Sequence, residues 1–161
     1  MCDADSEIVF LRHAQSAYNA TRDEARDSPL TREGRAQARA LELGAFDYVL
    51  CSPLARARET LALARWDAPA CELCSLAREA LGDDFAPNQM AGEHGLRESD
   101  AAFRARMRVL RGLVAGCAAR YGRVLVVAHA GVIAELTGVA PHNAERVTRS
   151  LCALLMHEHG G

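Results

Sequence analysis

Apolar residues in this chain follow two patterns. Short runs bounded by polar or turn residues predict buried strands over residues 8–11, 46–51 and 124–128. Weaker runs predict strands over 71–75 and 151–156. Between them the spacing is helical. Thr31 is placed to cap a helix over 32–43 that ends near Gly44. Ser52 and Pro53 are placed as N-cap and first position of a helix running to Arg65. Ser99 or Asp100 caps a long helix reaching about Tyr121, with Phe103, Met107, Leu110 and Val114 along one face. A further helix over 131–136 is closed by Gly138 and Pro141. This alternation of strand and helix predicts an α/β fold, a three-layer α/β/α sandwich around a mostly parallel sheet.

Two of the predicted strands run straight into a histidine. The run 8–11 is followed by Arg12-His13-Ala14-Gln15-Ser16, and the run 124–128 by His129-Ala130-Gly131. An arginine offers a planar fork of donors that fits phosphate oxygens, and a neutral imidazole can attack phosphorus. Either histidine alone is more often a structural residue at a strand end. Two of them after two strands of one α/β pattern predict a single site at one edge of one sheet.

Composition narrows the chemistry. At 161 residues, half of them apolar, the chain predicts one domain, with a core over about 7–157 and an irregular stretch over 76–98. The net charge of −2 gives no global field toward nucleic acid or an anionic membrane. All 19 cationic side chains are arginine. Without lysine there is no Schiff-base lysine and no Walker A loop. The acidic start, Met1 to Glu7, does not read as a secretory signal, and no apolar run approaches a membrane span. A cytoplasmic protein is expected. The six cysteines, Cys2, Cys51, Cys71, Cys74, Cys117 and Cys152, fit a reducing compartment. Cys71-Glu72-Leu73-Cys74 has the spacing of half a zinc site, but on a strand its two sulfurs point to opposite faces. His157-Glu158-His159 could ligate a surface metal but reads better as a polar tail.

Four blocks, taken in order, resemble the histidine phosphatase superfamily, the phosphoglycerate mutase-like proteins. They are Arg12-His13-Ala14-Gln15-Ser16 with Asn19; Ser28-Pro29-Leu30-Thr31 with Gly34 and Gln37-Ala38; Ser52-Pro53-Leu54-Ala55-Arg56-Ala57 with Glu59-Thr60; and Val127-Ala128-His129-Ala130-Gly131. Asn143-Ala144-Glu145 is similar to a small block that supports the pocket in the family. Two positions depart from the usual pattern. Ala14 stands where glycine is commoner, at a cost of about 1 kcal/mol if that position needs positive φ. Ala130 stands where many members have serine or glycine.

The resemblance implies a phosphate monoester hydrolase of phosphoglycerate mutase-like fold, with no cofactor and no metal. His13 would form a phosphohistidine. Arg12, Arg56 and Asn19 would hold the phosphoryl oxygens, and His129 would complete the pocket as a charged donor. Glu79 is the implied proton donor, with Asp83 and Glu93 as rivals in the same irregular stretch. That stretch, 76–98, would form a lid and set substrate choice. The substrate would be a phosphorylated small molecule or a phosphoprotein; nucleic acid and membrane are not expected partners. A weakly catalytic module that binds phosphorylated ligands or a partner protein is the first alternative. A sugar-phosphate mutase is the second, disfavoured because little chain is left to shield an intermediate from water.

Overall fold

A computed structural model describes residues 6–21, 27–80 and 98–157. Its main sheet has five strands. These are β1 (Glu7–Arg12), β3 (Tyr48–Cys51), β5 (Cys71–Leu73), β6 (Val124–Ala128) and β7 (Arg146–Ser150), in the order β5-β3-β6-β1-β7. Four run parallel, and β7 pairs antiparallel with β1 at the edge. A second, two-stranded sheet joins β2 (Glu42–Ala45) to β4 (Arg65–Asp67). The helices are α1 (Ala17–Thr21), α2 (Arg32–Arg39), α3 (Ala55–Leu63), α4 (Asp100–Tyr121), α5 (Ala130–Thr137) and α6 (Leu151–Met156). This is the expected α/β sandwich with a mostly parallel sheet.

Alternation along the central strands builds two cores. Ile8, Phe10, Leu50, Val124 and Val126 face one way, against Met107, Leu110 and Val114 of α4, Ile133 of α5 and Leu154 of α6. Val9, Leu11, Val49, Leu125 and Val127 face the other way, against Ala57 and Leu61 of α3. A strand covered on both faces must be apolar at every position, which is why β6 reads as an unbroken run.

Four local expectations need correction. The helix predicted over 32–43 stops at Arg39; Leu43 instead buries its side chain beside Phe46 from strand β2. The helix predicted to run to Arg65 ends at Leu63, and Arg65 begins β4. Ser52 is not an N-cap: that position is Leu54, which has no side-chain cap. Residues 151–156 form a helix, not a strand. Ser150 caps it at Ala153 N–H, and the buried leucines, 151 and 154, are three apart, a helical spacing. The last strand lies just before it, at β7, where only Val147 is buried, as suits an edge strand.

The second sequence block acts as a clamp on the loop after β1. Gln15 N–H donates to Gln37 Oε1, Thr31 N–H to Gln15 O, and Ala17 N–H to Pro29 O. Gly34 lies so close that a Cβ there would sit 1.9 Å from Gln15 O. The obstacle is backbone and cannot swing aside. Gly34→Ala is therefore expected to destabilise the protein by about 1–3 kcal/mol, read as a lower urea midpoint at unchanged slope.

Candidate active site

The register of the sheet makes the site. Arg12 pairs with Ala128, so His13 and His129 follow the ends of adjacent parallel strands at one level. His13 N–H donates to Ala128 O at 3.1 Å, and on the next strand Ser52 N–H donates to Val127 O at 2.9 Å. His13, His129 and Ser52 thus share one edge, and all three are buried. The two imidazoles lie 5.1 Å apart, centre to centre.

His13 is fixed in one tautomer. Its Nδ1 lies 2.7 Å from Ala14 O, and a carbonyl can only accept, so Nδ1 carries the proton. Nε2 keeps its lone pair, which accepts a long bond (3.3 Å) from Arg56 Nε. Burial, then Arg56 and Arg12, hold the imidazole well below its ordinary pKa, against the Ala14 bond. It is neutral at physiological pH.

His129 differs from the expectation of a charged donor. Burial, then Arg56, His13 and Arg12, hold it well below the ordinary range, which favours the neutral ring. Its Nε2 lies 2.8 Å from Ser52 Oγ. That hydroxyl accepts from Leu54 N–H, and among the described residues the one acceptor for its own proton is Nε2, so the ring proton stays on Nδ1.

Three N–H groups in this cluster are buried without a partner: Arg12 Nε, Arg56 Nη1 and His129 Nδ1. Arg12 is otherwise held by Pro141 O, 3.0 Å from Nη1. The Arg56 pKa is pushed down to about 10, chiefly by burial, which leaves it charged. Buried donors that lack acceptors are costly, and several in one place mark a site built for an anion that brings its own oxygens.

Glu79 reaches the same cluster. It is buried, and its carboxylate accepts from the N–H groups of Ala80 and Gly131. Burial raises its pKa, opposed by these two bonds and by Arg56 and Arg12. Gly131 lets the carboxylate come this close: a Cβ there would lie 2.7 Å from Glu79 Oε1 and push it aside. Asp83 and Glu93, the rival acids, lie outside the described residues, as do 81–97 of the predicted lid.

Asn19 sits on α1, where its Oδ1 accepts from Ser16 N–H, Ser16 Oγ and Asn143 Nδ2. Asn143 Nδ2 also donates to His13 O, as does Ala144 N–H, so the 143–145 block braces the histidine as expected. Ala14 needs no positive φ; it is buried beside Leu30 and Ala38 without strain. Three supporting side chains escape the sequence reading. Ser52 holds His129, Thr60 Oγ1 accepts from Ala14 N–H, and Asp27 acts on Arg56 while accepting from Ala55 N–H at 2.6 Å. Thr60 was findable, four residues after Arg56 on one helix face.

Elsewhere, Cys71 is exposed on β5, and Cys74 is buried just beyond the end of that strand. Among the described residues no group of three or more His, Cys, Asp or Glu could hold a metal ion. His157 packs against Gly138, while Glu158 and His159 lie outside the described residues. No described helix is long and apolar enough to cross a membrane.

Comparison with known proteins bears on this geometry. The family described as "Histidine phosphatase superfamily (branch 1)" matches residues 8–83. No curated protein gives a significant match. A phosphoglycerate mutase from Thermus thermophilus is 26% identical with a TM-score of 0.58, over 88% of this chain and 91% of that one. A candidate alpha-ribazole-5'-P phosphatase from Escherichia coli is 21% identical with a TM-score of 0.67, over 89% of each chain. The product of an open reading frame of Mycobacterium tuberculosis is 22% identical with a TM-score of 0.66, over 97% and 93%. Over residues 8–83 the chain is thus similar in sequence to the histidine phosphatase superfamily, and its fold is phosphoglycerate mutase-like.

Proposed function

We propose that this protein hydrolyses phosphate monoesters through a phosphohistidine on His13, without a metal ion. Superfamily members are generally phosphatases or mutases. The observation that carries the phosphatase reading is the group of three partnerless buried donors, Arg12 Nε, Arg56 Nη1 and His129 Nδ1, around an imidazole whose Nε2 keeps its lone pair. A phosphoryl group seated there would give each donor an acceptor and set phosphorus before Nε2.

In the first step Nε2 of His13 attacks phosphorus, the P–O bond to the alcohol breaks, and Glu79 protonates the departing oxygen. In the second, Glu79 takes a proton from water, whose oxygen attacks phosphorus and releases His13 and inorganic phosphate. Arg12 and Arg56 hold the phosphoryl oxygens, and the Asn19 amide adds a donor. Burial and the arginines favour a neutral His129, and a phosphate dianion beside it would favour the charged ring. The substrate class is a phosphorylated small molecule or a phosphoprotein, in the cytoplasm.

Hydrolysis of p-nitrophenyl phosphate with EDTA present tests the reading. Wild type is expected to turn over, with His13→Ala at least about a thousandfold slower. Wild-type phosphate release that needs added metal, or survives in His13→Ala, overturns it.

The pH profile gives a second check. His13 works when neutral, and its lowered pKa keeps it so until well below the ordinary range. Glu79 works when protonated, and its raised pKa carries that form to higher pH. kcat/KM should therefore rise through the depressed histidine value and fall through the raised carboxyl value. Glu79→Gln is expected to lower the rate about a hundredfold or more and to abolish the alkaline limb, with the substrate's own ionisation common to both proteins.

A further inference from the structure

We propose that Arg106 is a positioning residue for the reaction: gripped by the Glu98 carboxylate, its guanidinium fixes the backbone that carries Glu79. The proposal rests on the phosphatase reading and extends it to a residue outside the phosphate pocket.

Arg106 lies on α4 and is 8% exposed. Its fork is fully used. Nε and Nη2 hold the two Glu98 oxygens at 2.7 and 2.6 Å. Nη1 donates to Leu76 O at 2.7 Å and Arg78 O at 2.8 Å, and Nη2 also reaches Glu79 O at 3.3 Å. All five guanidinium N–H donors thus have acceptors. Burying such an ion pair is costly, and fully satisfied geometry is the condition under which it is tolerated.

The segment it holds has little regular structure. One 3-10 turn spans Ser75–Ala77, Arg78 is extended, and Glu79 and Ala80 belong to no helix or strand. Two restraints then define Glu79. Arg106 sets its backbone from the α4 side, and Gly131 N–H receives its carboxylate from the α5 side. Arg106 also acts electrostatically on His129, which puts the clamp within reach of the site. A lysine would keep the charge, but three donors on one nitrogen cannot span a carboxylate and three carbonyls.

Arg106→Lys, checked for folding by circular dichroism, is the test. The first readout is the titration of the Glu79 carboxyl carbon by NMR, its signal assigned by its loss in Glu79→Gln. The charged groups acting on that carboxyl are Arg12 from β1 and Arg56 from α3, with Gly131 N–H from α5, and all three remain in the variant. The expected result is a fall of the Glu79 pKa toward the ordinary carboxyl range as the side chain leaves its buried place. The second readout is activity on two esters. Ethyl phosphate needs a proton donor far more than p-nitrophenyl phosphate does. Its hydrolysis is expected to fall at least tenfold more than that of the aryl ester, with no further loss when Arg106→Lys is added to Glu79→Gln.

An unchanged Glu79 titration, or equal losses on both esters that multiply with Glu79→Gln, overturns the proposal. If wild type hydrolyses neither ester, the phosphatase reading fails and the carboxyl titration alone decides the role of Arg106. If Arg106→Lys does not fold, Glu98→Gln is judged by the same criteria; it loosens the grip on the guanidinium while leaving the carbonyl bonds available.

Discussion

The parallel pairing of β1 with β6 is the constraint on which the rest depends. It sets Arg12 level with Ala128 and so brings two histidines, 116 positions apart in the chain, to the same edge. Both strands are central and covered on both faces, so a slip of one residue would turn Phe10 and Leu11 toward the wrong cores. The pairing that buries the core is therefore the pairing that aligns the site. Stability and chemistry share one register.

Around that edge the protein concentrates positive charge and leaves part of it without a direct acceptor. Burial pushes Arg12 and Arg56 down in pKa against the charge of Glu79, with Asp27 also acting on Arg56, and among the described residues Arg12 Nε and Arg56 Nη1 have no hydrogen-bond partner. The same carboxylates also serve backbone donors. Asp27 receives Ala55 N–H at the start of α3, and Glu79 receives Gly131 N–H at the start of α5. Both helices begin with residues that provide no side-chain cap of their own, Leu54 and His129. Each borrows a carboxylate from a distant loop, which ties that loop to the site. Asp27 adopts φ +49°, a conformation aspartate tolerates better than most residues.

Much of this was legible in the sequence. The strands β1 and β6, the α4 face and the Arg-His and His-Ala-Gly turns stand out because doubly buried strands and long amphipathic helices impose strong periodicity. What stayed hidden was set by tertiary contact. The edge strand β7 is polar at most positions and carries no periodic signal, and 151–156 mixes apolar residues too densely to show its helical period. Ser52 before Pro53 has a helix-capping pattern, yet its hydroxyl is drawn to His129 across two strands. Arg106 carries no signal in the sequence. Its contacts are with carbonyls some 28 to 30 positions earlier in the chain, which no local pattern encodes.

The bond between Gly131 N–H and Glu79 bears on both halves of the proposed reaction. Two backbone donors, one at a helix start, favour the ionised carboxylate, while burial favours the neutral acid and prevails, raising the pKa overall. Without those bonds burial alone would hold the carboxyl more firmly in its protonated form. The contact tempers burial, and a group held between its two forms is suited to give up a proton in one half of a cycle and take one back in the other.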